Sequence, residues 1–483
     1  MPAESLRTYR RKRDFRQTPE PDGDHLALAA GEGADPRFVI QEHHARSLHW
    51  DFRLERDGVL VSWAVPKGLP LDSTENRLAV RTEDHPLEYL AFQGEIPEGS
   101  YGAGDVSIWD EGTYEVHRFD DQRVDVTLHG SRISGRYVLF PTDDRNWLVH
   151  RKGPPLDPDA EPLPKGLRPM LARPGPMPYG PDWTYEIKWD GIRALAYCEG
   201  GRVHLESRNG LDISAAYPEV RALGRTLGAR TAVLDGEIVA FDDDGRPSFE
   251  RLQSRSGLRD EAAVRRGRRT TPVVYAIFDL LFLDGHSTMR HPLAERRPLL
   301  EGLGLSGPAW RVPAAHADGD ALLKAARGRA LEGVVAKRLD SLYEPSLRTG
   351  AWIKVRLHNR QELVIGGWTE GEGARRGRIG ALLVGHYDDG DLHYAGRVGT
   401  GFTEAMLDEL SKELAGLARE TSPFTHGSPP RAAHFVEPAL VAEVEFTEWT
   451  RAGTLRHPSY KGLRRDVDPR DVVREAQPRP EGQ

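Results

Sequence analysis

Nine prolines fall between Gly153 and Pro178, and this run limits what the chain can fold into more than any other feature. Proline fixes φ and offers no backbone N–H, so neither a helix nor a central strand runs through such a segment. It reads as a stiff, extended connector between independent domains. At 483 residues the chain is also too long for one core. The expected division is residues 1–152, a linker at 153–167, residues 168–360 and residues 361–483.

The three parts differ in pattern. Residues 1–36 are polar with little periodicity. From Phe38 to about Val149, short alternating runs are broken by Gly and Pro, as at Gly58 to Val65, Arg77 to Arg81, Gly104 to Trp109 and Gly135 to Phe140. That predicts a β-barrel. From Trp183 to about Arg360 the pattern predicts strands at 184–188, 193–198, 202–207, 232–241, 273–278, 332–337 and 352–356, and helices at 217–227, 293–301 and 318–329. This is an α+β domain with antiparallel sheets. From Gln361 hairpins return: Ala381 to Tyr387, a turn at Asp388-Asp389-Gly390-Asp391, then Leu392 to Val398. Thr403 to Glu420 has helical period, and Val441 to Thr447 alternates. Strands with one helix fit a small OB-type barrel. The expected class is therefore multidomain α+β, with a β-barrel at each end.

Composition excludes several classes. No apolar run approaches the ~20 residues of a membrane span, and the basic N-terminus lacks the apolar segment of a secretory signal. A cytoplasmic monomer with no membrane contact is expected. The single Cys198 allows no intrachain disulfide and no Cys-based zinc site. A formal net charge of −8 does not announce nucleic acid. The basic residues cluster, however, at Arg7 to Arg16, Arg265 to Arg269 and Arg451 to Arg465. Local patches decide phosphate binding, although each run also fits a solvated face.

Ser47 to Glu55 reads as a strand with Leu48, Trp50, Phe52 and Leu54 on one face and His49, Asp51, Arg53 and Glu55 on the other. His43 is placed in a turn just upstream. Two imidazoles and a carboxylate suit Mn²⁺ or Zn²⁺, and an adjacent arginine suits a phosphate oxyanion. Lys67, Arg77, Glu83 and His85 follow, each near a strand end. Together they could cleave or remove a phosphate; a solvated strand face is the plain alternative.

The stretches Gln41-Glu42-His43-His44-Ala45-Arg46-Ser47-Leu48-His49-Trp50-Asp51-Phe52-Arg53-Leu54, Ser62-Trp63-Ala64-Val65-Pro66-Lys67-Gly68 and Glu83-Asp84-His85-Pro86-Leu87 resemble the phosphoesterase domain of bacterial ligase D. The resemblance spans about residues 5–152. It implies Mn²⁺-dependent removal of 3′-terminal ribonucleosides and 3′-phosphates from DNA. It implies metal binding by His43, His49 and Asp51, phosphate handling by Arg53, Lys67, Arg77 and His85, and a site that also includes Gln41 and Glu83. The opening Arg11-Lys12-Arg13-Asp14-Phe15 and Thr18-Pro19-Glu20 also match, which makes Arg13, Asp14 and Glu20 part of the site.

A second constellation centres on Tyr185-Glu186-Ile187-Lys188-Trp189-Asp190-Gly191-Ile192-Arg193. Alternation followed by Gly places Lys188 at a strand end. Downstream come Arg208 in a turn, Asp235 and Glu237 on one strand face, Phe278, Glu332, Lys337, and Lys354 flanked by Trp352 and Arg356. Nucleotidyl transfer needs these types together. A lysine attacks an α-phosphate as the free amine, so its pKa, ~10.4 in water, must fall. Lys354, Arg356, Lys337 and a divalent metal can supply that field. Glu237 and Glu332 suit metal or ribose, and Phe278 suits a base.

This order resembles the covalent nucleotidyltransferase superfamily, and most closely the ATP-dependent DNA ligase domain of ligase D, over about residues 168–476. The resemblance implies lysyl-AMP on Lys188, with Mg²⁺ or Mn²⁺, then AMP transfer to a DNA 5′-phosphate, then sealing by a 3′-hydroxyl. Glu186, Arg193, Arg208, Glu237, Phe278, Glu332, Lys337 and Lys354 become the ATP pocket. Where the family has Arg-x-Asp-Lys, this chain has Arg464-Arg465-Asp466-Val467. Val467 cannot orient pyrophosphate, so self-adenylation is the step expected to suffer, with Arg464 or Arg465 as the compensating cation.

The expected function is DNA end healing and sealing on nicks or double-strand ends, in non-homologous end joining. An RNA ligase or capping-type enzyme and a non-catalytic end-binding scaffold are the alternatives. An NAD⁺-using ligase would carry a four-cysteine zinc module that this chain cannot build. No third block resembles ligase D's polymerase domain, so a separate polymerase would fill gaps, and the resemblance implies recruitment by Ku. Nucleoid association follows from the substrate.

Overall fold

A computed structural model describes residues 5–23, 35–357, 359–371, 376–430, 432–450 and 452–475. Within the first part the alternating runs form nine strands: β1 (Arg37–His44), β2 (Leu48–Arg56), β3 (Val59–Val65), β4 (Asn76–Arg81), β5 (Gly94–Ile96), β6 (Gly104–Asp120), β7 (Arg123–Gly130), β8 (Ser134–Pro141) and β9 (Asn146–Lys152). They hydrogen-bond in the order β1-β2-β3-β4-β9-β8-β7-β6-β5, and a β1–β6 pairing closes the eight-stranded barrel, with β5 added at its side. Phe38, Trp50, Phe52, Trp63, Tyr114 and Tyr137 fill the interior.

His43 lies in β1, not in a turn, and is the register partner of His49 on β2. The polar face of β2 is not solvated either. Asp51, Arg53 and Glu55 are all buried. A second, smaller core covers this outer wall: Tyr9 of the short helix Arg7–Arg11, Leu87 and Tyr89 of the turn Leu87–Ala91, and Ile96 of β5 pack together over it. Residues 5–23 thus cover part of the barrel wall.

The middle part holds two sheets. Strands Trp183–Lys188, Gly333–Arg338, Trp352–Arg356 and Arg173–Pro174 form one. Arg202–Ser207, Ile192–Glu199, Ala232–Ala240 and Val273–Leu283 lead the other. All these pairings are antiparallel except the short Arg173–Pro174 edge. Helices Leu293–Gly302 and Gly319–Gly328 fall where periodicity put them. The second begins where the Asp318 carboxylate accepts from the Ala321 N–H, a side-chain N-cap. The stretch predicted as one helix at 217–227 is a 3-10 turn Pro218–Ala222 followed by a helical turn Leu223–Leu227 that stops at Gly228, φ +59°. Helix Glu261–Thr270, a basic cluster in the sequence, has Val264 as its single fully buried residue.

In the last part Asn359–Glu370, Ile379–Asp388, Asp391–Val398 and His434–Phe446 form a curled antiparallel sheet, a half-barrel packed against helix Glu404–Ala415. The first of these strands starts at Asn359, so the 360/361 division cuts within it. The proline-rich connector is extended but strapped down. Leu156 N–H donates to the Leu71 carbonyl, Glu161 N–H to that of Gly285, and His286 lies 2.7 Å from Asp157. The parts it joins also touch, with Gly201 against Leu48 and Gly228 against Glu42.

Strand Val273–Leu283 carries Asp279, which is fully buried against the guanidinium of Arg296 at 2.8 and 3.0 Å. Breaking a buried pair leaves an uncompensated charge. Arg296→Ala is expected to destabilise the middle domain by about 3–5 kcal/mol, read as a lowered denaturant midpoint.

Candidate active sites

The first site lies on the outer barrel wall. His43 Nε2 is 2.8 Å from the Gly102 carbonyl and His49 Nδ1 is 3.0 Å from the Ser47 carbonyl. A carbonyl only accepts, so each of these ring nitrogens carries the proton. The other nitrogens, His43 Nδ1 and His49 Nε2, then turn lone pairs toward Asp51 at 3.3 and 3.6 Å. Two imidazole lone pairs facing a carboxylate suit a cation between them. Among the described residues this is the one group of three such donors found together, within 4.8 Å of one another. Burial opposes ionisation of Asp51, but the Arg53 guanidinium outweighs it and holds the carboxyl well below its usual range. The donor set fits a divalent cation, with second-nitrogen carbonyls fixing both rings.

Arg53 is held by Gln41, whose Oε1 accepts from Nε at 2.8 Å, and by Asp51 at 2.9 Å. Its remaining nitrogen, NH1, is buried with no hydrogen-bond partner among the described residues. A buried guanidinium donor left open beside a cation site is placed for a phosphate oxygen. His85 donates from Nδ1 to the Glu83 carbonyl at 2.8 Å, and Arg13 approaches Nε2 at 3.3 Å. Burial, then Arg53 and Arg13, push its pKa well below the ordinary histidine value. It is a neutral ring, with a lone pair toward the cleft. Arg13 is clamped by Glu20 at 2.6 Å and Glu83 at 2.9 Å. The Tyr89 hydroxyl donates to Glu20.

Arg13, Glu20, His43, His49, Asp51, Arg53, Glu83 and His85 therefore line one cleft. Four expected members stand elsewhere. Gln41 orients Arg53 and also donates to the Tyr89 and Phe92 carbonyls. Asp14 is exposed, capped by Arg16 and Gln17. Arg77 spends its guanidinium on the Lys67 and Leu69 carbonyls and on Glu75. Lys67 is exposed, 3.9 Å from Glu199. Strand-end position alone cannot tell a free cation from one already consumed by nearby carbonyls. Tyr9 and Tyr89, which carry Arg13 and Arg53 over their rings at 4.0 and 4.8 Å, carry no pattern that singles them out in the sequence.

The second site opens between the two sheets of the middle part. Lys188 ends its strand, and its register partner is Gly333, so Glu332 comes beside it. The Lys188 ammonium contacts the Glu332 carboxylate, whose other oxygen is 3.5 Å from Arg356. Both carboxylate oxygens thus lie near cations, and the one toward Arg356 makes no hydrogen bond among the described residues. The opposite sheet contributes Arg193, Glu237 and Phe278. Arg193 is fixed by two 2.6 Å bonds to Asp235, itself held by the Tyr343 hydroxyl at 2.6 Å. Its guanidinium lies 4.6 Å from the Phe278 ring centre. Burial raises the Glu237 carboxyl to about 8, against Arg193 and Lys188. Lys337 pairs with Glu186 at 2.8 Å, so it buttresses the wall while its Nζ sits 4.5 Å from the Phe278 ring centre. Arg208 completes the lining from its turn.

The half-barrel reaches into the same cavity. Arg360 pairs with Asp190 at 2.8 Å, and Arg464 enters the lining, held by Asp466 and by Glu443 at 3.2 Å. Arg465 turns away to Glu409 and Glu413. Val467 is buried in an apolar cluster with Val364, Leu383 and Val472. The position that departs from the family pattern is thus a core residue of the half-barrel, and Arg464 is the cation at the cavity. Glu475 was not anticipated. Its carboxylate contacts both Lys354 and Arg356, and its N–H donates to Gln361. Burial, then Arg356, lowers the Lys354 pKa to about 8.

Family models match three stretches: the DNA Ligase D 3′-phosphoesterase domain over residues 41–141, the ATP dependent DNA ligase domain over 169–356, and the ATP dependent DNA ligase C terminal region over 375–467. The chain is 44% identical over 487 residues to the multifunctional non-homologous end joining protein LigD of Mycolicibacterium smegmatis, covering 98% of this chain and 61% of that protein. It is 46% identical over 482 residues to the LigD of Mycobacterium tuberculosis, with the same coverages. A solved structure of mycobacterial DNA ligase D complexed with ATP and MES is 41% identical, covering 64% of this chain and 98% of that one, with a TM-score of 0.46. The chain spans about three fifths of the length of the curated relatives it matches.

Lys354 and Arg356 meet any incoming polyanion with Glu475 already on them. Glu475→Gln is expected to tighten binding of inorganic tripolyphosphate about fivefold or more, the scale of one close charge pair. Isothermal titration calorimetry of both proteins reads this directly.

Proposed function

We propose, on the premise that the chain belongs to the ligase D family through its 3′-phosphoesterase and ATP-dependent DNA ligase domains, that it prepares the 3′ ends of DNA breaks and then seals them. The observation that carries this reading is the convergence of Lys188, Glu332, Glu237, Phe278 and Arg464 on one cavity between the two sheets. ATP and a divalent metal are the cofactors of such a ligase.

The Lys188 amine attacks the α-phosphorus of ATP. An N–P bond forms, the P–O bond to the β-phosphate breaks, and pyrophosphate leaves. Glu332, in contact with the ammonium, is placed to take its proton. Arg464, and Lys354 with Arg356 once Glu475 is displaced, hold the phosphate charge. Phe278 lies toward the base, backed by Arg193 and Lys337. AMP then passes to the 5′-phosphate of DNA, and attack by the 3′-hydroxyl releases it and closes the strand.

At the barrel wall, His43, His49 and Asp51 would hold a divalent cation, Mn²⁺ in this reading, which would polarise the phosphate and offset developing charge. Arg53 binds a phosphate oxygen through its open NH1, Gln41 aims it, and neutral His85 faces the reacting group. This removes 3′-phosphates and terminal ribonucleosides, and so supplies the 3′-hydroxyl that sealing needs. The setting is non-homologous end joining at the nucleoid, with the chain acting as a monomer beside Ku and a separate gap-filling polymerase.

With ATP radiolabelled at the α-phosphate, the protein is expected to take up a covalent label that Lys188→Ala abolishes. An unlabelled wild type would end the ligase reading. A DNA primer ending in one ribonucleotide is expected to shorten in Mn²⁺ but not with His49→Ala; equal trimming by that variant would remove the metal assignment.

A further inference from the structure

The metal cleft does not end at its own wall. Thr82, Glu83, Tyr101 and Arg145 line both the cleft and a shallower groove running out beside it. A 3′-terminal group seated at His43, His49 and Asp51 leaves the rest of its strand to exit somewhere, and this groove is continuous with the seat.

The groove's charges are unevenly matched. Lys12 is paired with Glu83 at 2.8 Å and Arg81 with Asp84 at 2.6 Å. Arg145 is exposed, and its guanidinium has no hydrogen bond or ion pair among the described residues. Its backbone is nonetheless anchored: the Arg145 carbonyl accepts from the Arg81 N–H at 2.7 Å, and its N–H donates to Asp143. A fixed backbone thus presents one uncompensated cation at the cleft's rim.

Tyr101 supplies the second element. It is 47% exposed, high for an aromatic beside a buried cleft. Lys12 Nζ lies 4.4 Å from its ring centre and 3.0 Å from its hydroxyl, which steadies the ring. The next residue, Gly102, gives the carbonyl that fixes His43. The aromatic surface is therefore one residue from the support of a metal donor. An exposed ring and an unpaired arginine along one groove are what unpaired nucleic acid needs: stacking for a base and a charge for a phosphate, with no reading of sequence.

We propose that this groove binds the single-stranded nucleotides immediately 5′ of the end being processed, with a base stacked on Tyr101 and a backbone phosphate on Arg145. The proposal rests on the phosphoesterase reading and deepens it. The two residues position the strand and take no part in the chemistry.

The test compares steady-state hydrolysis of a 3′-phosphorylated single-stranded oligonucleotide with that of p-nitrophenyl phosphate, which is too small to reach the groove. Tyr101→Ala is expected to raise KM for the oligonucleotide about fivefold or more, with kcat and p-nitrophenyl phosphate hydrolysis unchanged. Tyr101→Phe keeps the ring and should retain the wild-type KM. Arg145→Gln should raise KM and reduce the slope of log KM against log salt by about 0.7, one phosphate contact on a single strand. An unchanged oligonucleotide KM in Tyr101→Ala and Arg145→Gln, or an equal loss on both substrates, overturns the proposal. If the wild type hydrolyses neither substrate, the phosphoesterase reading falls by itself. Fluorescence anisotropy of a labelled oligonucleotide then decides the groove: weaker binding by both variants supports it, and unchanged binding overturns it.

Discussion

Charge burial sets the terms for both clefts. Removing an ion from water costs several kcal/mol even after relaxation, so a buried charge persists only with a partner of good geometry. Arg53 is buried with Asp51 and Gln41, Arg193 with Asp235 and Tyr343, Lys337 with Glu186, and Arg296 with Asp279. These pairs make the walls rigid. The groups left open against that background include the Arg53 NH1 donor and the lone pairs around Asp51 in one cleft, and Glu332 Oε1 and Arg356 Nε in the other. Ligand chemistry enters where the pairing is incomplete.

Sheet register brings these partners together. In the barrel, the β1–β2 pairing sets His43 opposite His49 and Gln41 opposite Asp51. In the middle domain, pairing of Lys188 with Gly333 puts Glu332 on the Lys188 amine. A one-residue slip would turn each of these side chains to the other face. Glycine permits one close approach on which the cavity depends: at Gly191, directly after Asp190, a Cβ would meet the Ile238 carbonyl at 2.2 Å. The same backbone proximity lets Lys188 and Glu237 line one cavity.

Much of this was legible. Alternation in Ser47 to Glu55 gave the correct faces, and strand ends placed Lys188. Alternation left the polar face open between a wet surface and a site. A polar strand face is ordinarily wet, but Tyr9, Leu87 and Ile96 arrive from separate segments to cover it, and no local pattern announces such a cover. Strand ends offered both Lys67 and Arg77 for phosphate; three consecutive carbonyls at Lys67 to Leu69 engage the Arg77 guanidinium. Val467, at the position that departs from the family pattern, belongs to the half-barrel core, and Arg464 reaches the cavity that Lys188 lines.

The sequence by itself determined the residue types, their alternation, and the proline break that separates a β-only part from a mixed one, because these follow from local backbone sterics and side-chain periodicity. Tertiary structure alone decided which cations are available. Lys188 meets Glu332 from 144 positions away and Lys354 meets Glu475 from 121. Coulomb pairing at a few ångströms depends on which strands lie side by side, and no spacing along the chain encodes that distance.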